Sequence, residues 1–132
     1  MNIENVKNSY GRCLGSPDFF DRFYDVFLKS NPEIPVLFSK TDFTEQKKLI
    51  RHGINLIIMY ADGNIVGMSG LKRINETHNG SLNIDHSLYA YWKESLMQVI
   101  REYDERFDFR LENEWSEVLD KGISFITKGI HS

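Results

Sequence analysis

The chain has 132 residues, of which 41% are hydrophobic and 27% charged, and its formal net charge at pH 7 is −3. These values predict one globular domain over residues 1–132 and argue against a general nucleic-acid-binding surface. No apolar run approaches the length of a membrane span or of a signal-peptide core. The single cysteine excludes an intrachain disulfide, so we expect a reducing, cytoplasmic location.

The first two predicted helices show apolar residues at helical spacing. The opening helix covers about residues 2–14 and ends at Gly15, and Ser16 or Asp18 is expected to cap the second helix. The second helix should end within SNPEIP (30–35), because residues before prolines avoid the helical region. One stripe of it is apolar: Phe20, Phe23, Tyr24, Phe27 and Leu28.

A short turn leading to Phe38 is predicted to separate that helix from the longest one. The stretch TDFTEQ (41–46) indicates a helix start, with its two threonines and its aspartate as candidate caps. This helix should extend to about Ala61, a length of roughly 30 Å at 1.5 Å per residue. Its apolar positions form a single stripe: Leu49, Ile50, Gly53, Ile54, Ile57 and Tyr60.

A shorter helix follows, and its apolar face carries Leu71, Ile74 and His78. The pair Asn79-Gly80 should end it. A lone histidine on such a face is usually a structural or solvated residue. Helical spacing alone therefore does not make His78 a metal ligand.

Two further helices complete the prediction. Asp85 is the candidate cap of a helix with apolar residues from Leu88 to Tyr103, and the last helix begins near Leu111. The run REYDERFDFR (101–110) is predicted to be a solvated loop between them. Six or seven helices without a strand make the predicted fold class all-α.

The order of these features resembles that of the globins. FYDVFLKSNPEIPVLF (23–38) resembles the second and third globin helices, in which an apolar helix meets a proline turn and then a phenylalanine that stacks on haem. The stretch from His78 to Trp92 resembles the proximal side of the globin pocket, and EWSEVLDKGISFI (114–126) resembles the last globin helix. The chain looks most like short bacterial single-domain globins, which implies a three-on-three globin fold around a haem pocket.

The resemblance implies that haem b is the cofactor and that His78 is its axial iron ligand. Such a ligand is a neutral imidazole whose other ring nitrogen is held by a hydrogen bond. The carbonyl group of Ile74 or Asn75, one turn back, could accept that bond. Further haem contacts implied by the resemblance are Phe38, Leu82, Ile84 and Tyr89.

Tyr24 is the implied polar group on the distal side. It lies 14 residues before Phe38, a spacing seen in bacterial globins with a distal tyrosine. Its hydroxyl group would then donate a hydrogen bond to bound O2. The alternative interpretation is a core aromatic residue whose hydroxyl group reaches a backbone carbonyl.

Three residues of the long helix, which also carries Gly53, remain candidates for the position that faces the iron on the distal side of the haem. The 29-residue spacing to the proximal histidine in animal globins favours Leu49, which keeps the apolar stripe facing inward. The spacing in bacterial flavohaemoglobins selects Gln46, but would turn Lys47 and its neighbour Arg51 toward the core, which is unfavourable. The dipeptide His-Gly, which resembles the corresponding stretch of vertebrate globins, favours His52 as the distal residue. We expect Leu49 to face the iron, with Gln46 at the pocket edge near Tyr24 and His52 near the mouth.

Three functions are compatible with the resemblance. The first is a haem protein that reversibly binds O2, and also CO or NO, for storage, delivery or gas sensing. The second is a nitric oxide dioxygenase or other redox haem enzyme that takes electrons from an external reductase. The third is a haem-free interaction module with the globin fold. Surface aromatic residues would allow a homodimer in each case.

Flavohaemoglobins polarise the proximal histidine through a tyrosine and a glutamate. Tyr89 matches the tyrosine when the alignment is shifted by one residue. The position of the glutamate corresponds to Ile130 or a neighbour, and none of these residues is acidic. The resemblance therefore does not imply peroxidase-like chemistry.

Overall fold

The computed structural model describes residues 2–79 and 84–128, and within these ranges the chain is all-α, as predicted. None of the described helices combines the length and the apolar character needed to cross a membrane. The seven helices in these ranges are α1 (Ile3–Leu14), α2 (Phe19–Ser30), α3 (Glu33–Leu37), α4 (Phe43–Ala61), α5 (Ile65–Asn79), α6 (Leu88–Tyr103) and α7 (Phe109–Lys128).

The predicted starts of α1 and α4 are confirmed, and both are capped by side chains. The Asn2 side chain accepts a hydrogen bond from the backbone N–H of Glu4 at 3.0 Å. Asp42 accepts from the N–H groups of Thr44 at 3.0 Å and Glu45 at 3.4 Å. These bonds satisfy donors that the first helical turn leaves without partners. They also fix where α4 begins.

Two local predictions differ from the structure. The expected turn before Phe38 is the one-turn helix α3, which tolerates Pro35 because the first turn of a helix does not need that N–H group. Asp85 does not cap α6, which is preceded by Ser87. Its carboxylate instead accepts hydrogen bonds from the N–H and hydroxyl groups of Ser87, at 3.0 and 2.9 Å, and so closes the turn before the helix.

Glycines let α4 lie unusually close to its neighbours. A Cβ atom at Gly67 of α5 would be 2.5 Å from the backbone nitrogen of Tyr60 and 2.9 Å from the carbonyl oxygen of Leu56. A Cβ atom at Gly122 of α7 would be 2.7 Å from both the Cγ1 and the Cγ2 atoms of Ile57. Both helices therefore contact α4 at distances that side chains would not allow.

A buried polar network joins α1, α7 and the end of α6. The fully buried Asp104 carboxylate accepts from the Ser9 hydroxyl at 2.6 Å and from the Arg12 guanidinium at 2.5 and 2.9 Å. Ser9 in turn accepts from the Trp115 indole N–H at 2.9 Å. The prediction of a solvated loop over residues 101–110 is therefore wrong at Asp104, because the Arg12 charge and these donors offset the unfavourable burial of a carboxylate.

We expect Asp104→Ala to lower the free energy of unfolding by about 3 kcal/mol, because it leaves Arg12 and Ser9 without their buried partner. Burial alone would raise the pKa of Asp104, but the bonds from Arg12, Ser9 and the Arg106 N–H hold it below the usual 3.8. A lowered pKa stabilises the fold above pH 3.8, and this contribution is lost as the pH falls through the lower folded-state value. Urea unfolding at pH 7 and at pH 3 measures both effects.

Glu112→Ala is the matched control, because Glu112 pairs with Arg101 at the surface, where both side chains are about 40% exposed. We expect a change within about 0.5 kcal/mol. Equal losses in the two variants at pH 7 would show that the Asp104 network does not hold the helices together.

Candidate functional site

A cavity of about 670 Å³ opens between the N-terminal half of α4 and the C-terminal half of α5. Its volume lies within the range of small-molecule and cofactor sites, about 300–1,000 Å³. Its walls are mostly apolar side chains from α2, α4, α5, α6 and α7, and the polar residues among them are few. The cavity is therefore suited to a large apolar ligand that a few polar groups orient.

His78 enters the cavity from the last turn of α5 and meets Tyr89 of α6. The His78 Nδ1 atom lies 2.5 Å from the Tyr89 hydroxyl oxygen, and the two ring centroids are 6.1 Å apart. The backbone carbonyl of His78 also accepts a hydrogen bond from the Ile84 N–H at 2.9 Å. Both the ring and the backbone of His78 are thus held against the chain that leads into α6.

Burial sets the protonation states of this pair. It lowers the pKa of His78, and it raises the pKa of Tyr89 to about 12. The imidazole is therefore neutral at neutral pH and the phenol keeps its proton. When Nδ1 carries the imidazole proton, it donates a hydrogen bond to the Tyr89 oxygen. The Nε2 atom is then unprotonated, and its lone pair can bind a metal.

The predicted hydrogen-bond partner of His78 differs from the observed one. In place of a carbonyl group of Ile74 or Asn75, the Tyr89 hydroxyl lies beside Nδ1. The Asn75 side chain instead donates to the carbonyl groups of Phe125 and Ile126 and joins α5 to α7. The sequence did suggest Tyr89 as a neighbour of the histidine, but helical spacing could not reveal a contact between two helices.

The other predicted pocket residues on this side are partly accounted for. Phe38 and Ile84 both line the cavity and are half-buried. Leu82 and Ile130 lie outside the described residues. Ile123 and Ile126 of α7 also line the cavity, and their i, i+3 spacing places them on one face of that helix.

On the opposite wall, Tyr24 lies behind Gln46. Gln46 borders the cavity, whereas Tyr24 is buried beside it, and the Gln46 amide interacts with the Tyr24 hydroxyl. Burial raises the pKa of Tyr24 to about 12, and this interaction with Gln46 opposes the rise. Tyr24 is thus both a core aromatic residue and a polar neighbour of the cavity.

Leu49 lines the cavity with most of the apolar stripe of α4, as expected, but it is not buried. Leu49 is 63% exposed and lines the rim of the cavity, because it faces open space instead of packed side chains. Inward placement of Gln46 buries no positive charge: Lys47 pairs with Asp21 of α2 at 2.5 Å, and Arg51 is exposed. Gln46 can therefore face the cavity without placing a positive charge in the core.

The mouth of the cavity is open and carries two polar residues with nitrogen-bearing side chains. His52 and Arg73 are exposed residues that line it. Gly53 lies on the same wall, and a Cβ atom there would meet no other atom within 4 Å. Arg73 was missed by sequence reasoning, since a charged helix residue without a spacing signal is normally interpreted as solvated.

The chain is similar to a protein of known structure. No protein-family model matches the sequence, and no curated protein matches it. The fold is similar to a crystal structure from Pseudomonas aeruginosa that is described as structurally highly homologous to a human hemoglobin. The two chains are 37% identical, the alignment covers 98% of each, and the TM-score is 0.91.

We expect Gly53→Leu to fill part of the cavity without unfolding the chain. The new side chain has room, and replacing a mid-helix glycine favours the helix by up to about 1 kcal/mol. The melting temperature should stay equal or rise, while binding of an apolar fluorescent dye to the ligand-free protein should fall. In contrast, Gly67→Leu would collide with the α4 backbone and should lower the melting temperature strongly. Similar losses in both variants would contradict an open space at Gly53.

Proposed function

The chain belongs to the globin family of haemoglobin-like proteins, and on this premise we propose that it holds one haem b and reversibly binds O2. CO and NO are expected to bind at the same position, and the role would be O2 storage, delivery or gas sensing. The observation that carries the proposal is the neutral His78 imidazole, held by Tyr89 inside a large apolar cavity.

The residues around the cavity fit a haem group. His78 offers one nitrogen ligand, and the apolar walls suit a flat apolar ring with Phe38 at its side. The absence of a side chain at Gly53 leaves space for that ring to approach α4. Arg73 and His52 at the mouth suit the two carboxylates of haem, because the Arg73 guanidinium offers a positive charge near solvent and both side chains can donate hydrogen bonds.

Each group of the chain has a separate task in this proposal. Haem b, when bound, supplies an iron with an open coordination position for a diatomic gas. His78 would hold the group, and Tyr89 would fix the orientation and tautomer of the imidazole. The apolar walls would exclude water, which strengthens polar interactions inside the cavity. Gln46 and Tyr24 would supply hydrogen-bond donors on the opposite side.

We expect His78→Ala to abolish stable haem binding, because it removes the only ligand that the proposal assigns to the iron. Absorption spectra of the purified protein with added haemin, ferric, reduced and with CO, measure this. The wild type should show a Soret band with a large CO shift. Free imidazole should restore the spectrum of the variant by occupying the space that the side chain leaves.

His52→Ala is the control, since it removes a second histidine from the same cavity. It should retain the wild-type spectrum, apart from weaker haem retention through the loss of a hydrogen-bond donor at the mouth. An unchanged spectrum in His78→Ala, together with a lost one in His52→Ala, would assign the ligand to α4. Absence of haemin binding by the wild type would refute the proposed function.

We further expect Tyr89→Phe to weaken haem retention about 10- to 100-fold, the range for a group that orients a metal ligand. Transfer of haem to an excess of an acceptor globin measures the rate of loss. Tyr91→Phe removes a hydroxyl group from the exposed side of the same helix and should leave that rate unchanged. Equal rates for Tyr89→Phe and the wild type would show that the hydrogen bond to His78 does not position the ligand.

A further inference from the structure

A second cavity, of about 260 Å³, lies between α1, the N-terminal part of α7 and the segment that joins α6 to α7. It shares no lining residue with the apolar cavity that His78 enters. All of its lining residues except Leu111 are polar or charged: Asn5, Asn8, Arg12, Arg106, Asp108, Arg110 and Glu114. Its volume is close to the lower limit of about 300 Å³ for small-molecule sites. The second cavity therefore suits a small and strongly polar ligand.

Glu114 is the buried acidic residue of this second cavity, with only 8% of its surface exposed. Its Oε2 atom accepts hydrogen bonds from the Asn2 backbone N–H at 2.9 Å and from the Asn5 amide at 3.3 Å. Its Oε1 atom accepts from the Asn5 amide at 3.1 Å and, since a carboxylate oxygen has two lone pairs, can accept once more. No described residue forms an ion pair with it. A cation that entered the cavity would therefore stabilise this carboxylate.

Two arginines bring positive charge to the same cavity. Arg106 and Arg110 are both exposed, and within residues 2–79 and 84–128 neither guanidinium group has a hydrogen-bond or ion-pair partner. Arg110 lies one helical turn before Glu114, a spacing at which opposite charges commonly pair. These two described side chains nevertheless form no ion pair and line the cavity separately. Charges of both signs thus border this space without neutralising one another.

The charges around the second cavity balance. Arg12, the third arginine, is already paired with the Asp104 carboxylate at 2.5 Å. The carboxylates of Asp108 and Glu114 therefore remain to match the two other guanidinium groups. An inorganic anion would be attracted by the arginines and repelled by the carboxylates, and a simple cation would meet the reverse. A molecule that carries one charge of each sign interacts favourably with both sets of groups.

We propose that the second cavity binds a small zwitterion of the α-amino acid class. The carboxylate of the ligand accepts hydrogen bonds from Arg106 and Arg110, whose planar guanidinium groups match a carboxylate in shape. The ammonium group of the ligand donates to the remaining acceptor position on Glu114 Oε1 and to Asp108. A bound zwitterion thereby links the segment before α7 to a carboxylate that the start of α1 holds. The inference does not depend on haem, since the two cavities share no lining residue.

L-alanine is the probe, because its side chain is small and its two charges are those of the whole class. In the 15N-labelled full chain, with or without haem, it should shift the side-chain N–H signals of Asn5 in a saturable way, since that amide donates to Glu114. The Asn75 amide, which donates to carbonyl groups of α7 beside the other cavity, should not respond. Acetate and methylamine each carry one of the two charges and should bind at least about tenfold more weakly.

The double variant Arg106→Gln/Arg110→Gln removes the expected partners of the ligand carboxylate and should weaken L-alanine binding about tenfold or more. Both residues are exposed, so the melting temperature of the ligand-free variant should stay close to that of the wild type. Arg51→Gln removes an exposed arginine of α4 and is the matched control, with unchanged affinity expected. Glu114→Gln should weaken binding of L-alanine but leave acetate binding equal or stronger, because it removes a negative charge that repels acetate.

Three results would overturn the inference. The first is the absence of a saturable shift with L-alanine, and the second is equal affinity for L-alanine in the double variant and the wild type. The third is tighter binding of inorganic phosphate than of L-alanine, which would identify a plain anion site. Each of these results is independent of the haem spectra, so failure of the inference and failure of the proposed function are distinguishable.

Discussion

The closeness of α4 to α5 is the constraint on which the rest of the molecule depends. Gly67 lets the α5 backbone contact that of α4 near the turn between them, and Gly70 accommodates the Leu56 side chain one turn later. Contact at that end leaves the other ends of the two helices to diverge. The cavity lies where they have separated, with Gln46 on one wall and His78 on the other. The close contact that Gly67 allows between α4 and α5 thus leaves Gln46 and His78 on opposite sides of an apolar cavity.

The polar groups of the site are arranged before any ligand binds. His78 is already paired with Tyr89, and Gln46 already interacts with Tyr24. Within the described ranges, no buried side-chain nitrogen or oxygen lacks a hydrogen-bond partner. Groups that are oriented in advance lose little entropy on binding and need little reorganisation. Elsewhere the same rule applies to Asp104, whose partners are Ser9 and Arg12 of α1 and the Arg106 N–H in the loop after α6.

Helix positions and the placement of His78, Phe38 and Ile84 around one cavity could be predicted from the sequence, whereas rotations of helices and contacts between them could not. The Asp42 cap and the end of α4 at Ala61 follow from local chemistry, which a sequence displays directly. The choice between Gln46 and Leu49 depends on the rotation of α4 against α2, which the pairing of Lys47 with Asp21 reveals only in three dimensions. The burial of Asp104 escaped prediction for a related reason, since its partners lie about 90 residues away in the chain.

The apolar rim of the cavity would make the stability of this protein depend on a ligand that covers it. Leu37 and Leu49 line the opening and are 51% and 63% exposed, so the ligand-free chain exposes apolar surface to water. A molecule that binds only the folded chain shifts the folding equilibrium by mass action, by about 4 kcal/mol at a thousandfold excess over its dissociation constant. Covering this rim would also remove a surface through which copies could aggregate. The cellular amount of the protein would then follow the supply of the ligand, even with transcription held constant.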